Sequence, residues 1–266
     1  MYEQFWKLNE KPFENTPDPR FLYNSPQHEE GLNRMLYVVK EGKGAGLLTG
    51  VYGCGKTLLA RALMKELEDS VYKVAIITNP RLDDVELLRM ITYYLGVSEP
   101  PTRKADVLIT LERVLQNNLN DGKKTVVVVD EAHAIEDKNI FEEIRLLLNY
   151  QFENKFLLTL LIIGQPELRE KIESNKQLNQ RIAMRFYLEA LNRAETELYI
   201  KHRLQLAGGN PTLFNSEAIT LIHERSGGIP RRINQLCDTS LLTGYGKEST
   251  AISRDVVDET IKSMSL

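Results

Sequence analysis

The residues best suited to chemistry are GVYGCGKT at 50–57, which satisfy the pattern G-x-x-x-x-G-K-[ST] through Gly50, Gly55, Lys56 and Thr57. Glycines at such a bend let the backbone curl until successive N–H groups, and the first turn of the following helix, face phosphate oxygens. The whole stretch Gly50, Val51, Tyr52, Gly53, Cys54, Gly55, Lys56 and Thr57, with Leu58 behind it, reads as a cradle for a nucleoside triphosphate. Lys56 would reach the β- and γ-phosphates and the Thr57 hydroxyl would ligate Mg²⁺. The pattern arises by chance in a chain of this size about once in a hundred, so its surroundings matter. It directly follows the apolar run LLTG and opens an amphipathic stretch with Leu58, Leu59, Ala60, Leu63, Met64 and Leu67. Cys54 reads first as a tolerated small residue. A redox handle is the second reading, since a helix N-terminus lowers a thiol pKa.

A second group is VVVVDEAH at 126–133. An acid at the end of a buried strand sits where Asp130 can hold the Mg²⁺ shell, and Glu131 after it can polarise a water, which favours hydrolysis over transfer. The third is IIGQPEL at 162–168, where the amide of Gln165 leaves a strand at the same rim and can hold the attacking water or the γ-phosphate. The four histidines, His28, His133, His202 and His223, form no metal spacing and read as ordinary polar or core residues.

These groups need a scaffold that brings strand ends to one edge. Apolar runs at 44–50, 74–78, 126–130, 157–164 and 185–191 lack polar alternation, as in strands buried on both faces of a parallel sheet. Helical periodicity fills the gaps at 27–41, 56–67, 83–95, 105–119 and 139–151. Strand signals stop after Leu191. Asn192 with Glu195 three positions on forms a capping pattern for a helix to about 206, and further helices follow near 215–226, 230–243 and 253–263, divided by GGIP and TGYGKEST. The expectation is an α/β nucleotide-binding core over 1–190 and a small all-helical lid over 191–266. The first thirty residues, with Pro12, Pro17, Pro19, Pro26 and five aromatics, read as an apolar clasp lying over the core.

At 266 residues the chain suits one large domain or two small ones. A net charge of −3 argues against a wholesale basic surface for nucleic acid. The two cysteines, Cys54 and Cys237, sit in no CxxC or His-spaced cluster, which points to a reducing compartment and away from zinc. Neither a spanning apolar run nor an export signal is evident, so the chain reads as cytoplasmic. The DEAH tetrad also occurs in two-core helicases, but the residues after His133 must first finish this core.

The order of phosphate loop, strand, VVVVDEAH, polar strand-end residue, basic segment and GGIPRR resembles the AAA+ ATPases. More narrowly, NEKPFENTPDPRFLYNSPQHEEGLNRMLYVV resembles the opening of secretion ATPases of the GspA/ExeA type and their exosortase-locus relatives. The match rests on Pro12, Phe13, Thr16, Pro17, Asp18, Pro19, Arg20, Phe21, Leu22 and Tyr23, and the resemblance covers nearly the whole chain. It implies a P-loop fold, an ATP- and Mg²⁺-dependent ATPase, and a homo-oligomeric ring or filament with nucleotide bound between subunits. It makes Gly50–Thr57 the Walker A loop, Asp130 and Glu131 the Walker B pair, Gln165 the first sensor and Arg231 of GGIPRR the second. The arginine finger falls in QRIAMRF, where Arg181 and Arg185 share a face if helical. Arg185 is favoured, because the finger in such chains just precedes the last core strand. Relatives in secretion systems commonly continue into a membrane-spanning helix and a peptidoglycan-binding part, and the expectation here is a stand-alone ATPase or an excised cytoplasmic fragment. Its expected role is to drive or regulate assembly of a secretion or envelope system, at the inner face of the inner membrane through a partner. The alternative is an AAA+ regulator acting on DNA, of the transposition or replication-initiation type.

Overall fold

The structure is a computed structural model that describes residues 1–264. Positions 265 and 266, assigned to the helical tail from the sequence, lie outside the described residues. The chain divides into two compact units, an α/β unit of Glu29–Val51 and Leu59–Leu188, and a helical unit of Met1–His28, Tyr52–Leu58 and the chain from Glu189 onward.

The α/β unit is built on β1 (Ala45–Gly50), β2 (Tyr72–Ile77), β3 (Lys124–Val129), β6 (Leu158–Gly164) and β7 (Ile182–Leu188). Their order is β2-β3-β6-β1-β7, and every neighbouring pair is parallel. Strands β1 and β6 are buried at each position, which explains their unbroken apolar runs. The two outer strands alternate instead. That alternation explains why the last strand, expected at 185–191, lies three residues earlier: Ile182, Met184, Phe186 and Leu188 carry a period-2 signal rather than an apolar run. Helices α1 (Pro26–Lys40), α2 (Lys56–Lys65), α3 (Asp84–Tyr94), α4 (Lys104–Asn120) and α5 (Lys138–Leu147) follow the expected alternation. A capping box between Asp83 and Glu86 starts α3. Leu87, Leu88 and Ile91 of α3 and Leu111 and Leu115 of α4 form one apolar cluster with Ile77, Val127, Val129, Leu160 and Ile162 of the sheet.

The helix expected at 139–151 ends at Leu147, and a hairpin of β4 (Gln151–Phe152) and β5 (Lys155–Phe156) follows. Its two turn residues, Glu153 and Asn154, both have positive φ (46° and 65°), as a tight hairpin turn requires. Glutamate is an unusual residue there, so the turn carries little sequence signal. Two short helices, α6 (Glu167–Ser174) and α7 (Lys176–Arg181), then lead to β7.

In the helical unit, α8 (Arg193–Leu206) begins with the expected capping box of Asn192 and Glu195. Helices α9 (Ser216–Ser226), α10 (Pro230–Gly246) and α11 (Arg254–Ser263) complete it. GGIP works as a stop and a start: Gly227 ends α9 in the left-handed conformation, and Pro230 opens α10. The amino-terminal segment, grouped with the α/β core from the sequence, packs over residues 2–21 against these helices. Trp6 Nε1 donates to Leu241 O at 2.9 Å, the Tyr2 hydroxyl bonds Asp238, and Phe13 packs edge-on against Phe214. Arg203, only 4% exposed, donates to Pro12 O and Glu14 O and lies over the Phe21 ring. Burying Phe13 and Phe21 contributes about 1.5–3 kcal/mol each, which fixes a segment that has little regular structure of its own.

Candidate active site

The phosphate loop joins β1 to α2, with Lys56 as the first residue of the helix. Its leading glycine serves the sheet: a Cβ on Gly50 would lie 2.4 Å from Leu188 O in the neighbouring strand. The second glycine inside the loop has a different reason. Gly53 has φ of 85° and packs where a Cβ would meet Arg231 Cβ at 2.9 Å. Arg231 stands in the first turn of α10 and touches the loop three times. Its backbone N–H donates to Gly53 O at 3.2 Å, its guanidinium lies 4.5 Å from the centre of the Tyr52 ring, and Nη1 bonds the Tyr52 hydroxyl.

Beneath the loop lies His28, 5% exposed, which sequence reasoning set aside. Its Nε2 is 3.0 Å from the carbonyl of Cys54 and its Nδ1 2.7 Å from Ser25 Oγ. A carbonyl only accepts, so Nε2 carries the proton and Nδ1 accepts from the serine. Burial holds His28 below the usual histidine pKa, offset in part by the Cys54 bond. No short-range pattern links residues 28 and 54. Cys54 is fully buried, and burial pushes its thiol up to about 11 despite Lys56 nearby. The helix-terminus effect that would have made it a redox handle is therefore outweighed, and the thiol stays protonated near neutral pH. Lys56 is itself buried.

The acidic residues lie at the end of β3. Asp130, 4% exposed, continues the ladder through its N–H to Ile77 O at 2.9 Å, and its Oδ1 accepts from Glu131 N at 2.9 Å. Glu131 has φ 55° and ψ 29°, a left-handed conformation that costs a non-glycine residue about 1–3 kcal/mol. The bend turns its side chain, 39% exposed, out of the sheet register. His133 follows in a short 3-10 turn, Ala132–Ala134, with Nε2 3.4 Å from Glu131 Oε2. Gln165, just past β6, donates its backbone N–H to His133 Nδ1 at 3.3 Å, and its side-chain amide lies 2.8 Å from His133 Nε2. Asp130, Glu131 and Gln165 thus share one edge of the parallel sheet, as expected, and His133 joins them. Its only sequence signal was its place in the DEAH tetrad.

The two arginines separate. Arg181 is the last residue of α7 and immediately precedes β7, whereas Arg185 lies within that strand. They share no helical face, because the chain turns extended at Ile182. Arg185 is also occupied, its Nη2 donating to Asn179 O and Oδ1 at 2.8 Å each. Nη1 of Arg181 is buried without a hydrogen-bond partner among the described residues. Arg181 is thus the arginine that directly precedes the last core strand.

The loop's donor set of backbone N–H groups, an ammonium and a hydroxyl suits a polyphosphate, and a carboxylate oxygen such as that of Asp130 suits Mg²⁺, a hard cation. Residues 39–172 match the family model described as AAA domain. The chain belongs to the AAA family of ATPases. Its α/β core with C-terminal helices is the AAA fold, which implies nucleotide binding. It is similar to General secretion pathway protein A of Aeromonas hydrophila, 38% identical over 255 residues, which are 95% of this chain and 46% of that protein. A second relative is an uncharacterized HTH-type transcriptional regulator of Methanocaldococcus jannaschii, 26% identical over 59% of this chain and 40% of the regulator. The chain therefore spans about half the length of the curated relatives it matches. Among solved structures, the ORC1 protein of Aeropyrum pernix in complex with DNA matches with a TM-score of 0.74 and 18% identity, over 97% of this chain and 70% of that one. No helix among the described residues is long and apolar enough to cross a membrane.

Proposed function

We propose that this AAA protein hydrolyses ATP with Mg²⁺ and uses the cycle to drive or regulate assembly of an envelope or secretion system. The observation that carries the hydrolytic reading is Glu131 itself, bent out of β3 next to a buried Asp130, where a carboxylate can take a proton from water. The phosphate-loop N–H groups and Lys56 hold the phosphates, and Gln165 and Arg231 bind the γ-phosphate as sensors. Thr57 and Asp130 are the oxygen ligands for Mg²⁺, which when bound neutralises phosphate charge. Arg181, before β7, is the finger offered to a neighbouring subunit's site, so the working form is a ring or filament. Support for the secretion role comes from the similarity to General secretion pathway protein A over 95% of this chain. In that role it works in the cytoplasm, at the inner face of the inner membrane, through a secretion or envelope protein partner.

The deciding experiment compares the parent with Glu131→Gln for nucleotide binding and single-turnover hydrolysis. The variant should bind ATP as the parent does and lose turnover. Parent-like hydrolysis would remove the base assignment. Light scattering with a slowly hydrolysed ATP analogue should show a larger species than without it.

One feature favours the second reading, a regulator acting on DNA. A cavity of about 360 Å³ in the α/β unit is lined by Lys40, Lys123, Lys124 and Lys155 beside Phe156, a basic patch inside a chain of net charge −3. Duplex binding that weakens steeply with salt, and is lost when these lysines become glutamine, would select that reading.

A further inference from the structure

We propose that His133 is a positioning residue that couples Gln165 to Glu131 by offering one imidazole N–H for which the two compete. The proposal rests on the reading of Glu131 as the base.

The tautomer follows from the backbone. The Gln165 N–H can only donate, so His133 Nδ1, 3.3 Å away, is an acceptor and the ring proton sits on Nε2. That bond is to main chain, so it persists however the Gln165 side chain turns. The main chain that carries the ring is braced too, since Lys171 Nζ donates to the carbonyls of His133 at 2.6 Å and Ile135 at 2.7 Å. Nε2–H therefore points from a fixed place at two neighbours. The atom 2.8 Å from Nε2 is the Gln165 amide nitrogen; facing an N–H, the amide must be assigned in its flipped orientation, which puts the oxygen there as the acceptor. Glu131 Oε2, at 3.4 Å, is beyond a good hydrogen bond.

One proton cannot serve both acceptors well. While Gln165 keeps it, the Glu131 carboxylate is held by nothing on this side. When the Gln165 amide turns to a phosphate oxygen, Glu131 becomes the remaining acceptor for Nε2–H. The carboxylate is then fixed through one oxygen, and the other is left to receive a proton from water. Occupancy at Gln165 is thereby converted into a defined orientation of Glu131, through His133, which lies 32 positions from Gln165 in the chain.

The test uses the purified 266-residue chain with Mg-ATP and compares His133→Ala, His133→Gln, His133→Asn, Gln165→Ala, Glu131→Gln and the His133→Ala/Gln165→Ala double variant. His133→Ala should lower kcat about tenfold, the scale of one hydrogen bond to a charged group, while KM stays within about twofold. A glutamine amide N–H reaches the Nε2 position and an asparagine amide reaches only the Nδ1 position. His133→Gln should therefore restore kcat to within about threefold of the parent, and His133→Asn should resemble His133→Ala. Rescue by asparagine instead would assign His133 to bracing the Gln165 backbone and overturn the proposal. The double variant should be no slower than the slower single variant, and effects that multiply would also overturn it. If Glu131→Gln is inactive while His133→Ala and His133→Gln turn over like the parent, the coupling alone fails. If Glu131→Gln is active, the base reading fails first.

Discussion

The phosphate loop and the acidic end of β3 reach their shapes by different means. In the loop the main chain is the working part. Its donors are backbone N–H groups, its conformation is set by glycines, and its bracing comes from His28 on a carbonyl and Arg231 on another. At the end of β3 the working parts are side chains. Glu131, His133 and Gln165 form a chain of contacts whose geometry depends on which atom holds one proton. On the proposed reading the loop is a receptor braced through its backbone, and the acidic end is one set by its side chains. A change in the loop should alter binding, and a change at the strand end should alter rate.

The largest test of that division is Arg181→Ala against Arg185→Ala. Removing the true finger should lower turnover about a thousandfold with nucleotide binding kept. Mixing Arg181→Ala with Lys56→Ala subunits should restore part of the activity, whereas Arg185→Ala should cost far less. Equal losses in both variants, or no recovery on mixing, would remove Arg181 as a finger in trans. Next is Lys56→Ala, which should weaken ATP binding by about a hundredfold, the loss of one buried charge-assisted contact. A Lys56→Ala protein with parent affinity and slower hydrolysis would erase the contrast between receptor and rate.

Gly50→Ala should destabilise the fold by about 2–4 kcal/mol, read as a lower unfolding midpoint in urea, because the new Cβ would meet Leu188 O. An unchanged midpoint would mean that β1 and β7 separate easily. The smallest effect concerns His28. Its folded-state pKa lies below the unfolded value, so the unfolded chain takes up its proton first as pH falls below about 6.5. Stability should decline from there down to the folded pKa, by at most about 1.4 kcal/mol per pH unit for this group. His28→Gln should flatten that part of the curve, and an equally steep curve would place the loss elsewhere.

What could be read from the sequence follows the same contrast. The loop was legible because its backbone shape demands glycines at fixed spacing, and the inner strands because burial on both faces forces continuous runs such as VVVV. The capping box at Asn192 and Glu195 was legible for a local reason too, with partners three residues apart. The start of β7 was not, because a half-exposed outer strand alternates, and the places of Arg181 and Arg185 relative to that strand were hidden with it. The Glu153–Asn154 hairpin was hidden by a turn residue that statistics disfavour. His28 under the loop and His133 beside Gln165 were out of reach because their partners are distant in the chain, and a histidine outside a metal spacing has no pattern of its own.

The packing of the amino-terminal segment sets a timetable for the protein's manufacture. Trp6 must find Leu241, 235 positions away, and the carbonyl of Glu14 must find Arg203, 189 positions away. During synthesis these aromatic rings therefore wait uncovered until the helices that carry Arg203 and Leu241 have emerged. His28 reaches Cys54 early, but the helices that hold the segment before it come much later in the chain. In that interval the segment's uncovered rings are open to proteases and to sticking to neighbouring chains.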